Sequence, residues 1–356
     1  FIAIELAEGD YARGKLAGVA RQINRVFPMP VMLLFKIGGR ISIAVINRRL
    51  NKRDDSKDVL GKVTLIQNIA IERPHPGHLD ILASFSLAEL SAGRRSIQNF
   101  DQLHAAWEEV CNVERLNKRF YEELSNWYFW ARHQVSFPDD MEPDEQTRNA
   151  TSVIRLLTRL IFCWFLKEKH LIPDHLFDQQ AVVGVLNSLE ENESTYYQAI
   201  LQNLFFATLN QSMNAGDAQH RKFAVEGSFQ ENRAQHGVKN LYRYSGFFRE
   251  PSQAVSLFED IPFLNGGLFA CLDVEDDAGK VNYADGFSRN PKKQPRVPNR
   301  LFFANRHAVD LSGKDDFGDA KKKRAEVRGL LHILNGYKFT IAESTPVEQE
   351  IALDPE

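Results

Sequence analysis

The stretch FIAIELAEGDYARGKLAGVARQINRVFPMPVMLLFKIGGRISIAVI, residues 1–46, decides the fold class. Residues 1–6 are a short apolar strand. Over 11–27, Leu16, Val19, Ala20, Ile23 and Phe27 recur at helical spacing, and Pro28 and Pro30 stop the helix. Residues 31–35 (VMLLF) form a continuous apolar run of the kind found in a buried strand. Gly38-Gly39 supplies a turn, and residues 41–46 return as the second arm of a hairpin. Residues 63–71 (VTLIQNIAI) add a further strand. A strand, a helix and then more strands predict a mixed sheet with helical cover.

Working outward, Pro74, Pro76 and Gly77 break the pattern, and from Ile97 it becomes helical. Residues 100–111 and 114–135 read as amphipathic helices. Residues 136–149 carry two prolines and many acids and read as an exposed connector. Residues 151–169 form a strongly apolar helix. Residues 194–210 form another, with Ala199, Ile200, Leu204, Phe205 and Leu209 on one side. Residues 212–245 and 273–300, rich in Gly, Asn, Asp, Lys and Pro, read as surface loops. The expected class is α+β. A mixed α/β sheet domain over 1–95 precedes a mainly helical domain over 96–356, with the boundary near 91–97.

The length of 356 residues suits two or three domains, and 43% hydrophobic with 26% charged residues is an ordinary globular balance. The net charge of −3 excludes a polycation, so any nucleic-acid surface is a local patch. The 25 Phe residues imply a large core or an extensive surface between domains. Cys111, Cys163 and Cys271 lie far apart, which argues against a cysteine zinc site or a disulfide framework. They read as the reduced thiols of a cytoplasmic protein. Charges begin at Glu5, which does not fit a signal peptide, and the most apolar run, 156–166, is interrupted by Thr158 and Arg159. No membrane partner is expected. A start at Phe1 inside an apolar run, and an end at Glu356 without a tail, lead to the expectation of a piece of a longer protein.

Three basic runs are candidate contacts for double-stranded DNA, because lysine and arginine neutralise phosphates. Arg48, Arg49, Lys52 and Arg53 follow a strand, with Asp54, Asp55 and Asp58 offsetting them at once. Lys292, Lys293 and Arg296, with Arg300, are interleaved with prolines and read as a loop that tracks a backbone. Lys321, Lys322, Lys323 and Arg324, with Arg328 a turn later, read as a helix after an acidic loop. The aromatic run Trp127, Tyr128, Phe129 and Trp130 covers all faces of a helix, so part of it must pack inside. His75 and His78 lie near Asp80 without a convincing further ligand, and no metal site is expected.

Three segments together carry a resemblance: RLLTRLIFCWFLKEKHLI at 155–172, IPFLNGGLF at 261–269 and FTIAESTPVEQEIALDPE at 339–356. In this order they resemble the helical region that precedes the methyltransferase domain in type IIG restriction–modification enzymes and related adenine-specific DNA methyltransferases. The resemblance covers residues 100–356. It implies a methyltransferase domain downstream in the same chain and S-adenosylmethionine as the cofactor of the parent protein. The family's Gly-rich cofactor loop and its Asn/Asp-Pro-Pro-Tyr/Phe motif do not occur in these 356 residues, so no cofactor is expected in this part. Asn265, Gly266 and Gly267 are expected to make a structural turn, anchored by Leu264, Leu268 and Phe269.

Many proteins of this kind carry a nuclease ahead of the helical region. The strand–helix–strand order of residues 1–36 matches part of such a fold, with Glu5 in the place of a metal-binding carboxylate. The lysine position, however, is Ala7, and the next lysine is Lys15. Three readings stay open for this domain: a nuclease-like fold that has lost its site, an unrelated α/β module, or a nuclease whose earlier strand is absent. Mg²⁺ is implied only by the last. The expected function is a non-catalytic part of a restriction–modification protein that holds the DNA backbone and scaffolds its neighbours. The alternative is a protein-interaction or regulatory module of a phage-defence methyltransferase.

Overall fold

The computed structural model describes residues 1–27, 29–51, 54–91, 97–110, 113–211, 222–224, 241–264, 267–277 and 279–337. The chain divides into two compact units, Phe1–Glu122 together with the segment from Asn335, and Glu123–Leu334. The division falls well beyond the 95/96 boundary read from the sequence. The reason is α4 (Phe100–Val110), whose Ala106 and Trp107 pack with Ile43 and Val45 of the sheet and with Met32 just before its second strand. An apolar stripe shows that a helix is buried, not which core buries it.

The first unit is built on a four-stranded mixed sheet in the order β1 (Ile2–Leu6), β2 (Leu33–Ile37), β3 (Arg40–Asn51), β4 (Asp54–Ala70). β1 runs parallel to β2, with Glu5 beside Lys36, and the other pairs are antiparallel. The parallel pair needs a crossover. Helix α1 (Arg13–Val26) provides it, and its Leu16, Ala17 and Ala20 pack on Leu33, Phe35, Ala44 and Leu65. Asn24 ties the end of α1 to the entry of β2: it accepts from the Val31 N–H at 2.8 Å and donates to the Val31 carbonyl at 3.2 Å. The opposite face of the sheet packs with residues of α2 (Pro76–Ser84), α3 (Leu87–Leu90) and α4. At the β2–β3 turn Gly38 takes φ +54°, a conformation that favours glycine.

The second unit takes up the end of α5 (Val113–Arg132), then α6 (Glu145–Glu168), α7 (Gln179–Val185) and a π-helix over Tyr196–Leu209. Helix α6 starts six residues before the helix read from the sequence. Asp144 caps it by accepting from the Thr147 N–H at 2.7 Å, which satisfies a donor the helix leaves open. The helix holds a stretch long and apolar enough to cross a membrane by length and composition. Its Val153, Leu156, Leu160, Cys163 and Trp164 are core residues of this unit. The π-helix is buried on every side rather than on one.

Two stretches read as surface loops are partly interior. Leu241, Tyr242 and Arg243 are buried, as are Asp273, Asp285, Phe287, Ser288, Val297 and Asn299. Polar composition suggested solvent, but here the polar groups satisfy buried backbone. The Asp273 carboxylate accepts four backbone N–H groups, from Ala284, Asp285, Gly286 and Phe287, at 2.8–3.0 Å. Most of residues 212–245 lies outside the described residues.

Candidate nucleic-acid interface

The loop bearing Lys292 and Arg296 is locked from behind. Gln202 donates to the Asp285 carbonyl at 2.9 Å and Gln198 to the Pro295 carbonyl at 3.1 Å, both from the π-helix. The Val297 N–H donates to Ser194 Oγ at 2.8 Å, and Asn299 accepts from the Tyr196 N–H at 3.0 Å. Asp285 itself pairs with Arg159 of α6 at 2.9 Å, and both side chains are buried. Burial would lower the Arg159 pKa, but Asp285 beside it raises it above the ordinary value, so the guanidinium stays charged. Arg159 also donates to the carbonyls of Leu268 and Ala270, each at 2.9 Å. These bonds fix the inner side of the loop, and Lys292 and Arg296 are exposed on it.

Lys293 is engaged differently. It contacts Asp140 at 2.5 Å and Asp139 at 3.6 Å, so its charge is neutralised within the unit. This ion pair sets Lys293 apart from Lys292 and Arg296, and the carboxylates responsible lie in the stretch read as a connector.

The second run forms a 3-10 turn, Ala320–Arg324, rather than a longer helix, because it leads straight into a short strand, Ala325–Val327. That strand pairs with another, His307–Val309, and the Leu311 N–H donates to the Lys322 carbonyl at 2.9 Å. Asp319 caps the turn through the Lys321 N–H at 2.9 Å. Lys322 points inward: it donates to Asn126 at 3.0 Å and lies 4.8 Å from the Phe317 ring centre. Lys321, Lys323 and Arg324 are exposed. Arg328 pairs with Glu123 at 2.7 Å.

The end of α5 and the residues after it touch both basic segments. The Trp130 ring meets His307 at 5.1 Å, and Arg132 and His133 hold Asp316 at 3.0 and 2.7 Å. Gln134 bonds Arg300, and Ser136 exchanges backbone hydrogen bonds with Arg296 at 2.7 and 2.9 Å. Residues 130–136 thus form a spine with the 292–300 loop and the 306–324 segment attached to it. Seven exposed cations belong to these two segments: Lys292 and Arg296 on the first, and Arg306, Lys314, Lys321, Lys323 and Arg324 on the second, with Arg306 paired to Glu326 at 3.0 Å. Trp127 and Trp130 are buried under them, and Trp127 Nε1 donates to the Leu301 carbonyl at 2.7 Å.

The other expected residues do not join this cluster. Arg48 and Arg49 lie within β3, paired in register with Leu60 and Val59, and not in a loop. Their side chains, and all of Lys52 and Arg53, lie outside the described residues. Asn265 and Gly266 also lie outside them, while Gly267 opens a short 3-10 turn without a positive φ. No strand–loop–helix unit surrounds that turn among the described residues. Phe269 beyond it is buried against Phe205 and Phe162, with ring centres 5.8 and 5.9 Å away, while Leu264 and Leu268 are half-buried. Glu5 sits exposed on edge strand β1 and pairs with Lys36 at 2.9 Å, which lowers its pKa. Among the described residues, no three or more His, Cys, Asp and Glu side chains are grouped to hold a metal ion. His75 instead caps α2 by accepting from the Gly77 N–H at 3.1 Å.

The sequence points to five of these exposed cations and misses Arg306 and Lys314, which stand outside the basic runs. It also misses the groups that sort them, namely Asp140, Asn126 and the Arg159–Asp285 pair. No family model matches the chain, and neither a curated protein nor a solved structure matches it.

Proposed function

We propose that this chain is a non-catalytic, DNA-backbone-binding and scaffolding part of a restriction–modification protein of the adenine-specific methyltransferase kind. Base recognition and methyl transfer from S-adenosylmethionine then belong to a domain downstream, as the LNGGLF and LDPE segments suggest. The observation that carries the reading is the set of exposed cations on two braced segments of the second unit, above all Lys292, Arg296, Lys321, Lys323 and Arg324 from the basic runs. Loops fixed before binding lose less entropy when they meet phosphates. With four to five phosphates neutralised, the slope of log affinity against log salt is roughly −4.

The test is fluorescence anisotropy of the full chain with unmodified duplexes of two unrelated sequences at low salt. Equal binding to both supports backbone recognition. No binding to either overturns it.

A second reading draws on a different surface. Val26, Phe27 and Met29, at the end of α1, are all exposed apolar side chains. A run of this kind fits a protein partner. If the chain binds no DNA, Val26→Ser with Met29→Ser should abolish that partner's capture.

A further inference from the structure

β3 and β4 outrun their sheet. β2 pairs with β3 only from Arg40 to Ala44, yet the β3–β4 pairing continues to Asn51↔Asp54. Beyond Ala44, β3 has β4 as its only strand partner among the described residues. The root of this two-stranded ribbon is gripped from both faces of the sheet. Arg13 of α1 donates to the Val63 carbonyl at 3.1 Å, and His104 of α4 contacts the Ile46 carbonyl at 3.1 Å. Ile46 and Val63 face each other in the register, so the two contacts mark the same level of the ribbon.

Past that level β3 continues for five residues, 47–51, which at about 3.4 Å per residue is a reach of roughly 17 Å. Register shifts lie at Ile46/Arg48 and Leu50/Asn51, and such irregularities increase twist. Residues 47–62 hold six Lys and Arg (Arg48, Arg49, Lys52, Arg53, Lys57, Lys62) against three Asp, in a chain with 44 Lys and Arg against 47 Asp and Glu. Charge, lysine above all, protects a long edge from pairing with other chains, and the three Lys suit that purpose. The three Arg in the same stretch of sequence suit phosphate, which a guanidinium fork holds with two hydrogen bonds.

B-DNA's major groove, roughly 12 Å wide and 8.5 Å deep, admits a two-stranded antiparallel ribbon. The ribbon is longer than the groove is deep. We infer that the β3–β4 ribbon enters the major groove of duplex DNA and forms a contact separate from the cations of the second unit. This rests on the reading that the chain binds duplex DNA.

The test is a pair of footprints on the full chain bound to a short duplex. Dimethyl sulfate reports guanine N7 in the major groove, and hydroxyl radical reports the backbone. Two variants are compared: one with residues 48–60 replaced by Asn-Gly, the other Arg48→Gln with Arg49→Gln and Lys57→Gln. The expected result is N7 protection by the wild type that both variants lose, because the ribbon no longer fills the groove, with the backbone footprint retained and binding about tenfold weaker at low salt through the lost phosphate contacts. The substituted variant keeps the ribbon's length, so its result stands if the shortened one misfolds. N7 protection that persists in the variants, or a backbone footprint without N7 protection in the wild type, overturns the inference alone. Absence of both footprints in the wild type overturns the DNA reading with it.

Discussion

Replacing Arg159 by Met should unfold the second unit far more easily while leaving the first unit's sheet unaffected. The substitution keeps an unbranched apolar stem and removes the guanidinium. That group makes contacts of 2.9 and 3.4 Å with Asp285 and bonds of 2.9 Å to the carbonyls of Leu268 and Ala270. What remains is a buried carboxylate whose other bond is to the Leu272 N–H at 2.8 Å. Breaking one side of a buried ion pair costs about 3–5 kcal/mol. The two carbonyls add about 1 kcal/mol if they share the usual cost of a lost partner. A loss of about 4–6 kcal/mol in a unit of this size lowers its Tm by about 10–20 °C. Urea unfolding followed by tryptophan fluorescence reads this unit well, because Trp127, Trp130 and Trp164 belong to it and Trp107 to the other. Adding Asp285→Leu removes the stranded charge, so the double variant should be less destabilised than the two single losses combined. A single-variant loss under about 1 kcal/mol, the value of an exposed pair, would refute the reasoning.

Further outcomes follow from the same contacts. Gly329→Ala drives a Cβ into the Phe302 carbonyl, so the second unit should lose about 1–3 kcal/mol in urea, as for other overpacked sites. Burial would raise the Asp140 pKa, yet Lys293 and the Tyr283 N–H outweigh it and hold the group below its ordinary 3.8. Its stabilisation is therefore present above pH 3.8 and lost as pH falls through the lower folded value, and Lys293→Ala should flatten that acid limb in a pH series of urea midpoints. Burial, then Arg328, lowers the His332 pKa below 6.5 despite its bond to the Phe303 carbonyl. The folded state thus resists a proton that the unfolded chain takes up, so stability falls as pH drops below 6.5, and His332→Gln should remove that step.

Much of the first unit was legible in residues 1–46, because each element there carries a local signal. Period 3.6 gives α1, which ends at Val26, and Gly38 turns the β2–β3 hairpin. The extension of β3 through Arg48 and Arg49 was missed, since charged residues after an apolar strand look like its end. Asp144 signalled the early start of α6 through its cap, but the prolines before it suggested a connector. The basic runs were visible as composition, while the sorting within them was not. Lys293 finds Asp140 across 153 positions, and Arg159 finds Asp285 across 126. No local pattern records such pairings. The 273–300 loop misled for the same reason: Asp273 and Asp285 look like surface residues until the backbone they satisfy is known.

The measurement that tests the central claim most directly is the salt dependence of duplex binding, for the wild type and for Lys292→Glu with Arg296→Glu, Lys321→Glu and Arg324→Glu. The account predicts a wild-type slope of roughly −4 in log affinity against log salt, falling by about 0.9 for each phosphate contact removed, while the variant keeps the wild-type circular dichroism. A slope that the four reversals leave unchanged, in a variant that remains folded, would contradict it.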